Sequence, residues 1–393
     1  EALDAFDEAL VILGDQASPG FLFQHADALI LAERYDDALA IAERTPVEVH
    51  VPMIRGRVAF ERNQYANAIE ELDKAALLWP NNAPIRYYLA RSSEGIGDFD
   101  RAIEEYRQAI RSDPKLSAAR ERLAKLHLAE GRIRHADAIL SFISARESST
   151  PSLEMSLLGL EVRARLGRDL SLLLPSSNDH TPEELRHRAV ESLSRGLQLQ
   201  STQLLALRTL VAVEKTVDPI LRNMIMRERV SLLLALGQPD KAIKLAQRRA
   251  AESPDDIDVA LALGRALVAK GAGLSEAKAL LNLVIDARPD EYQALASLGE
   301  IASQEGDAET SLILYERAFE LAPIEWRVMQ PLLERLDDEG ESATALDRLR
   351  SFINKDNPYS GVAALELARR LGDDPETLGE RTALAERAVR FSG

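Results

Sequence analysis

The stretch PSSNDHTPEELRHR, residues 175–188, carries the side chains with the clearest capacity for chemistry. It holds two of the six histidines in the chain, His180 and His187, together with Glu183 and Glu184. Imidazole and carboxylate groups bind metal ions, and paired carboxylates act as general acid and base. The first hypothesis is therefore a catalytic or metal-binding site.

The same stretch also has a structural interpretation, because its proline, serine, asparagine and aspartate residues favour a loop. Thr181 can then cap a helix, Pro182 fits the first helical position, and the two glutamates favour the positive end of the helix dipole. Thr181 and Glu184 also match a capping box. His180 precedes this cap and His187 lies nearly two turns inside the helix, so the imidazoles need not converge. We interpret the stretch as a joint and predict neither catalysis nor metal binding there.

The rest of the sequence lacks the spacing of a nucleophile elbow, a phosphate loop or a pair of metal-binding histidines. The segment GIGDFD, residues 95–100, resembles the start of a dinucleotide-binding loop, but it lacks the third glycine and follows a helical pattern rather than a strand. The chain has no cysteine, which excludes disulfides, thiolate nucleophiles, zinc-thiolate sites and haem attachment. We predict that the protein is not an enzyme and has no metal or cofactor.

The charge balance narrows the range of partners. The chain has 48 Lys and Arg residues against 64 Asp and Glu residues, a formal net charge of -16 at pH 7. This excess of acid argues against a general affinity for DNA, RNA or anionic lipid. No apolar run approaches the ~18 residues that a bilayer span requires. The sequence leaves the compartment open between cytoplasm and periplasm.

Prolines recur at a fixed distance along the chain, which is typical of a repeat protein. Pro80 and Pro114 are 34 residues apart, as are Pro289 and Pro323. The unit APIRYYLARSSEGIGDFDRAIEEYRQAIRSDP, residues 83–114, reads as two helices joined by a glycine turn. Neither helix can bury its apolar stripe alone, so each pair must stack on the next.

This unit resembles the tetratricopeptide repeat family. The family pattern places a large residue, a Leu-Ala or Leu-Gly pair, a glycine turn, an aromatic residue, two alanines and a closing proline at these offsets. The resemblance implies an all-α fold, an α-α superhelix in which antiparallel helix pairs stack into a right-handed solenoid. The full units in this register are residues 49–82, 83–116, 117–150, 223–256, 257–291, 292–325 and 326–359, with weaker units at 19–46 and 360–393 and a partial unit at 1–16.

The register holds to about residue 167 and resumes near residue 223. We therefore predict an N-terminal array over residues 1–167, an irregular loop and helical joint over 168–222, and a C-terminal array over 223–393.

The two ends of the sequence look like open ends of the repeat array. Residues 1–13 look like the second helix of a unit that lacks its first helix, and the chain stops after another such helix. Solenoids normally carry a polar cap at each terminus. The composition, rich in Ala, Leu and Arg, looks bacterial. We expect the chain to be the repeat region of a larger bacterial protein.

Three basic residues occupy one first-helix position in consecutive units: Arg57, Arg91 and Lys125, each 34 residues from the next. In tetratricopeptide arrays the first helices line the concave groove, and the resemblance implies that these cations face it. The other groove residues implied in this way are His50, Met53, Phe60, Tyr87, Tyr88 and Arg122.

A basic and aromatic groove suits an extended peptide with acidic and apolar side chains, because guanidinium pairs with carboxylate and tyrosine offers contact area at a low entropic cost. The alternative is that the cations pair with Glu61, Glu94 and Glu121 on neighbouring turns of the protein itself.

The C-terminal half has the opposite charge. Residues 290–341 contain fourteen acidic residues against three basic ones, and the first-helix groove position becomes Glu300 and then Glu334. With Asp337 and Asp338 these residues predict a second, acidic surface that suits a basic partner.

Most arrays of this family bind proteins, so the resemblance implies a non-catalytic scaffold or adaptor that holds partner segments in its groove. One alternative is a periplasmic organiser of exopolysaccharide export, in which groove tyrosines stack on sugar rings and the partner is polysaccharide. A second alternative is the regulatory arm of an enzyme whose catalytic domain lies outside this sequence.

Overall fold

The computed structural model describes residues 2–146, 153–166, 189–190, 192–193, 203–215, 219–323, 325–353, 359–372 and 375–391. The stretch at residues 175–188, with His180 and His187, lies outside the described residues, as does most of the predicted joint. The predicted division of the array at residues 168–222 therefore stays a prediction.

Regular structure in the described residues is helical, and the prediction of an all-α fold is confirmed. Two short 3₁₀ turns, Gly14–Gln16 and Pro375–Thr377, accompany the α-helices. The α-helices in chain order are α1 (Ala2–Leu13), α2 (Pro19–Leu31), α3 (Tyr35–Ala42), α4 (His50–Glu61), α5 (Tyr65–Leu78), α6 (Ala83–Ile96), α7 (Phe99–Ser112), α8 (Ser117–Ala129), α9 (Ile133–Arg146), α10 (Leu153–Arg165), α11 (Gln203–Glu214), α12 (Pro219–Ala235), α13 (Pro239–Glu252), α14 (Ile257–Lys270), α15 (Leu274–Ala287), α16 (Tyr292–Glu305), α17 (Ala308–Leu321), α18 (Trp326–Asp338), α19 (Ser342–Phe352), α20 (Gly361–Arg370) and α21 (Leu378–Arg390).

Backbone contacts divide the chain into two compact units. The first unit comprises Glu1–Glu130, Ile353–Gly361 and Thr382–Gly393. The second unit comprises Gly131–Phe352 and Val362–Arg381. From α2 to α7 and from α12 to α19, successive helices pack against each other, which is the packing that the 34-residue period requires.

Local sequence explains where each helix of a pair begins and ends, as α6 and α7 illustrate. The side chain of Asn82 accepts a hydrogen bond from the Ile85 amide at 3.0 Å and caps α6. Gly97 ends that helix with a φ of +82°, a left-handed conformation that glycine adopts without strain. Asp98 then caps α7 by accepting from the Arg101 amide at 3.1 Å. GIGDFD is therefore a repeat turn.

Small residues let the two helices of a pair approach closely. Leu89 and Ala90 on α6 and Ala102 on α7 have no exposed surface. The core of the first unit continues through clusters centred on Leu29 and Leu72. Each hairpin thus buries its apolar stripe against its neighbour rather than against a central core.

Part of the predicted joint lies in the hydrophobic core of the second unit. Ala206 and Leu210 of α11 are buried in one cluster with Leu160 of α10 and Met224 of α12. A second cluster extends from Met226 to Ile301 along helices α12 to α16. Within the described residues, no helix is both long enough and apolar enough to cross a membrane.

Candidate functional site

The predicted groove residues lie on three first helices of the first unit. Helix α4 carries His50, Met53, Arg57 and Phe60; α6 carries Tyr87, Tyr88 and Arg91; and α8 carries Arg122 and Lys125. The structure brings five of these nine side chains to one cavity of about 530 Å³: His50, Met53, Arg57, Tyr87 and Tyr88. The wall of this cavity, here called the aromatic cavity, is completed mainly by Phe23 and Asp27 of α2, by Trp79 and by Leu116.

Arg57 is held in the wall of the aromatic cavity by a carboxylate and an aromatic ring. Its Nη1 donates to Asp27 Oδ1 at 2.7 Å, and its guanidinium carbon lies 4.4 Å from the ring centre of Tyr88. The Arg57 side chain is 17% exposed, whereas that of Asp27 is 43% exposed. The guanidinium is thus a fixed positive group that pairs with Asp27 of α2, whereas the alternative interpretation paired it with Glu61 of its own helix.

Arg91 lies among aromatic side chains next to this cavity. Its guanidinium carbon is 5.4 Å from the Phe60 ring centre, and its Nη1 donates to the Tyr87 hydroxyl at 3.2 Å. Phe60 and Tyr88 meet edge to face at 5.4 Å, and Phe60 is only 3% exposed. Phe60 and Arg91 therefore support the tyrosines of the wall.

His50 also lines the aromatic cavity. Its ring lies 4.7 Å from that of Phe23, and its Nδ1 is 3.2 Å from the Thr45 hydroxyl. Burial lowers the pKa of His50 below its usual 6.5. The imidazole is consequently neutral at pH 7 and adds a polar edge rather than a charge.

Arg122 lies outside this cavity and belongs to a buried cluster with Glu94 and Tyr359. Arg122 forms an ion pair with Glu94, which is 2% exposed. The Tyr359 hydroxyl donates to Glu94 at 2.6 Å, and its ring centre is 5.7 Å from the guanidinium carbon of Arg122. Burial, followed by the charge of Glu94, raises the pKa of Tyr359 well above its usual value. Tyr359, which belongs to the same unit, thus covers Arg122, one of the predicted groove residues.

Lys125 agrees with the alternative interpretation, because its Nζ lies 2.6 Å from Glu121 one turn away. It is 38% exposed. The three basic residues that share one register position therefore have three different environments. The cation that remains at the aromatic cavity is Arg57.

The predicted acidic residues of the second unit are partly paired. Asp337 accepts two hydrogen bonds from Arg370, at 2.6 and 2.7 Å, and Asp338 pairs with Arg335 at 2.7 Å. The two glutamates have hydrogen-bond donors close to them: Glu300 accepts from the Tyr315 hydroxyl at 3.0 Å, and Glu334 from the Gln330 amide at 3.3 Å. Among the residues that the structure describes, Asp337 and Asp338 are thus the two of these four acidic residues that pair with cations of the protein itself.

Sequence reasoning missed three residues that the structure places at cavities or in the buried cluster. Trp79 sits at the turn before α6, and a first-helix register could not single it out. Tyr359 lies 265 positions from its partner Glu94, so no local pattern connects the two. Arg265, in contrast, occupies the register position of Arg57, Arg91 and Lys125 in the unit 257–291, and that signal was present in the sequence.

No group of three or more histidine, aspartate or glutamate side chains in the described ranges is arranged to hold a metal ion. The aromatic cavity offers instead apolar surface, a neutral imidazole and one embedded guanidinium. This arrangement can bury an apolar side chain and receive a hydrogen-bond acceptor beside it.

Comparison with known proteins relates the chain to others built from the same repeat. It is 33% identical over 81 residues to the TPR repeat-containing thioredoxin TTL4 of Arabidopsis thaliana; this match covers 21% of the chain and 12% of that relative. The chain thus spans only a small part of the curated relative's length.

The solved structures with a similar backbone trace have low sequence identity to this protein. Yeast Tom70 is 15% identical, with 87% of this chain and 92% of Tom70 covered and a TM-score of 0.36. The APC/C heterotetramer Cut9-Hcn1 is 14% identical, with 100% of this chain and 83% of that chain covered and a TM-score of 0.40.

Family models cover both halves of the sequence. Residues 54–117, 96–153, 233–299 and 292–325 match models described as tetratricopeptide repeat. The matched ranges overlap the repeat units inferred from the 34-residue period, and the resemblance is confirmed. Residues 54–153 and 233–325 are therefore tetratricopeptide repeats.

Proposed function

We propose that the protein is a non-catalytic interaction scaffold whose first unit holds a segment of a partner protein in the aromatic cavity. The segment has an apolar or aromatic anchor residue with an acidic residue beside it. The observation that carries this proposal is the cavity of about 530 Å³ itself, with apolar and aromatic walls around the single embedded guanidinium of Arg57.

The apolar part of the cavity supports an anchor side chain. Trp79 lines it and is 48% exposed, although a tryptophan normally buries most of its surface. Met53, Phe23 and Leu116 continue this wall. Burial of apolar surface contributes about 25 cal/mol per Å², and tryptophan is a frequent hot spot of binding interfaces.

The charge at the cavity supports an acidic neighbour of the anchor. Asp27 engages Arg57 through one nitrogen, Nη1, at 2.7 Å. A guanidinium has five N–H donors, so a second carboxylate can pair with Arg57 without displacing Asp27. The pairing of Lys125 with Glu121 and the aromatic surroundings of Arg91 give these two cations smaller roles than the sequence suggests.

Polysaccharide is the second partner class, and Trp79 and Tyr87 are the side chains that favour it, because both line the cavity with aromatic surface. The embedded Arg57 favours the acidic peptide, since stacking on a neutral sugar needs no cation. A regulatory arm of an enzyme would use the same cavity to hold its partner.

Intrinsic fluorescence provides the test, because the chain has only two tryptophans, Trp79 and Trp326. In a Trp326→Phe background, the remaining emission comes from the cavity. Short capped peptides with an apolar residue next to a glutamate should change this emission, and the matching glutamine peptides should bind more weakly. Neutral oligosaccharides form the second arm of the titration.

Two substitutions by alanine, one inside the cavity lining and one outside it, locate the binding site. Trp79→Ala should weaken binding of a fluorescently labelled peptide at least about tenfold, the loss expected for a hot-spot aromatic residue. Leu77→Ala removes an 83% exposed apolar side chain outside the cavity lining and should leave the affinity unchanged. Equal binding by the Trp79→Ala protein would disprove the site, and a response to oligosaccharide alone would identify a polysaccharide partner instead.

A further inference from the structure

Helix α21 ends on a surface of the first unit. The segment Thr382–Gly393 belongs to that unit by its backbone contacts. Within this segment Leu384, Ala388 and Phe391 are buried, whereas Val389 is 79% exposed. The three buried residues are spaced by four and three positions and lie on one face of the helix. The segment therefore docks on the first unit through a single apolar stripe.

Phe99, the first residue of α7, is the centre of the surface that receives this stripe. The Phe391 ring meets it edge to face, with the ring centres 4.8 Å apart. The guanidinium carbons of Arg387 and Arg390 lie 5.5 and 5.2 Å from the Phe99 ring centre. The ring of Tyr359 lies 5.4 Å from that of Phe391. With these contacts Phe99 is only 2% exposed.

Two carboxylates on the same surface pair with Arg390. Its Nη2 lies 2.9 Å from Asp100 Oδ1 and 2.5 Å from Glu130 Oε1. Asp100 is in the first turn of α7, the second helix of its repeat, and Glu130 directly follows α8. The surface therefore lies at the ends of helices and combines an aromatic ring with two acidic groups. It is the complement of an arginine followed by an aromatic residue.

A close backbone contact fixes the place where the docked segment ends. A Cβ atom at Gly361, the first residue of α20, would be 2.6 Å from the carbonyl oxygen of Phe391 and 3.1 Å from that of Ala388. Both obstacles are backbone atoms, which cannot turn aside as a flexible side chain can. The end of the segment is therefore seated against Gly361.

Arg387 suits this surface less well than Arg390. Among the described residues, no carboxylate lies within ion-pair distance of Arg387, and burial lowers the pKa of its guanidinium. Removal of a cation from water without a counterion opposes docking. The pair between Arg390 and Asp100 is also weakened by water and salt, because Asp100 is 87% exposed. The contact within the chain is therefore weaker than the surface permits.

We infer that Phe99, Asp100 and Glu130 form a docking surface for a helical segment of a partner protein that ends in an arginine followed by an aromatic residue. Residues 384–391 of the chain itself occupy this surface as a weaker ligand that the partner displaces. The partner segment carries an apolar side chain at the position of Arg387.

A partner with this apolar side chain keeps the contacts of Arg390 and Phe391 and avoids the desolvation of a second guanidinium. A second copy of the chain offers only the identical segment, so exchange between copies gains no contact and loses the covalent tether. None of Phe99, Asp100 and Glu130 lines the aromatic cavity. The docking surface therefore does not depend on the proposed function.

Fluorescence anisotropy of a labelled, capped peptide with the sequence of residues 378–391, titrated with the full chain, tests the inference. The Arg390→Glu chain should bind this peptide at least tenfold more tightly than the wild type, because its own segment is released. A peptide with Arg387→Met should bind at least threefold more tightly than the parent peptide, and one with Arg390→Ala and Phe391→Ala at least tenfold more weakly. Equal affinity of the two chains, or equal binding of the alanine peptide, would overturn the inference; equal or weaker binding of the methionine peptide would overturn the apolar position of the partner.

A pair of glycine substitutions in the Arg390→Glu chain then locates the bound peptide. Gly361→Ala should weaken peptide binding at least tenfold, because the added methyl group meets the end of the docked segment. Gly379→Ala is the matched control, since nothing described lies within 4 Å of a Cβ atom added there, and it should retain the affinity. Trp79→Ala should also retain it, which separates this surface from the aromatic cavity. Equal binding by the Gly361→Ala and Gly379→Ala proteins would place the peptide elsewhere and overturn the inference.

Displacement of the chain's own segment is measured with a spin label, without any substitution on the docking surface. The chain has no cysteine, so Val389→Cys at an exposed position gives one labelling site. Bound methionine peptide should increase the mobility of this label as residues 384–391 leave the surface. An unchanged spectrum with the peptide bound would overturn the displacement. Wild-type dimers in sedimentation experiments that the peptide dissociates would overturn the choice of a different partner in favour of a second copy.

Discussion

Gly56 lies directly against Leu72, so that a Cβ atom at position 56 would be 2.6 Å from Leu72 Cγ and 2.9 Å from its Cδ2. The close contact lets α4 and α5 pack as a hairpin. Gly56→Ala should therefore lower the free energy of unfolding by about 1–3 kcal/mol, because Leu72 must shift in a packed core. Urea denaturation measures the change.

Gly159→Ala is the matched control for this substitution. Among the described residues, nothing lies within 4 Å of a Cβ atom added at Gly159 in α10. Alanine is the better helix former, so the control should be neutral or up to about 1 kcal/mol more stable. A similar loss of stability in both variants would show that backbone flexibility, and not the contact with Leu72, explains the glycine at position 56.

Substitution of Ala102 tests the packing within a repeat hairpin. The residue has no exposed surface, and Ala102→Glu would place a carboxylate in the hairpin core at a cost of several kcal/mol. The melting midpoint should fall sharply. The same change at exposed Ala66, in the first turn of α5, should have little effect because acidic residues are favoured there. An unchanged midpoint for Ala102→Glu would refute the packing assignment.

Arg227 tests the buried charge network of the second unit. The side chain is 1% exposed and lies 3.1 Å from Asp258 and 3.6 Å from Glu291. Arg227→Met should cost about 3–5 kcal/mol, because it leaves buried carboxylates without this cation. Lys270→Met breaks the exposed pair with Asp240 and should cost less than about 1 kcal/mol. Equal losses, measured by chemical denaturation, would contradict this difference.

The lowered pKa of His50 predicts that the stability of the protein depends on pH. The folded protein keeps the pKa of His50 below its usual 6.5 because of burial, so the unfolded chain takes up this proton first as the pH falls. The stability that the neutral form of His50 contributes to the fold is fully present above about pH 7. It is lost as the pH decreases through 6.5 towards the pKa of His50 in the folded protein. A His50→Asn protein should lose less stability between pH 7 and pH 5 than the wild type, as measured by urea midpoints; parallel curves would contradict the prediction.

Charge reversal separates the basic residues that share one register position. Arg57→Glu places a carboxylate beside Asp27 and removes the guanidinium from the Tyr88 ring, which should cost about 1–3 kcal/mol. Lys125→Glu faces Glu121 on a partly exposed helix surface and should cost about 0.5 kcal/mol. Thermal melting of the two single variants checks that Arg57→Glu loses more stability than Lys125→Glu. Equal losses would mean that the shared register position alone determines how much each residue stabilises the fold.

The repeat architecture could be predicted because it depends on local patterns. The 34-residue period, the glycine turn at Gly97 and small residues such as Ala90 and Ala102 follow from helix geometry and from the need to bury each apolar stripe on a neighbour. These features require no knowledge of the tertiary structure. The family and the all-α fold therefore followed from the order of the residues alone.

The candidate sites depended on the tertiary structure, because a register gives the direction of a side chain but not its partner. Arg57, Arg91, Lys125 and Arg265 share one position, yet they meet a carboxylate, aromatic rings, a glutamate of the same helix and two neutral side chains, respectively. These partners come from other helices or other turns, and the energy of a charge is determined by the groups within a few ångströms of it. The sequence by itself determined the helices and the pairing of each first helix with its second, and only the tertiary structure decided which charges are compensated and which remain available to a ligand.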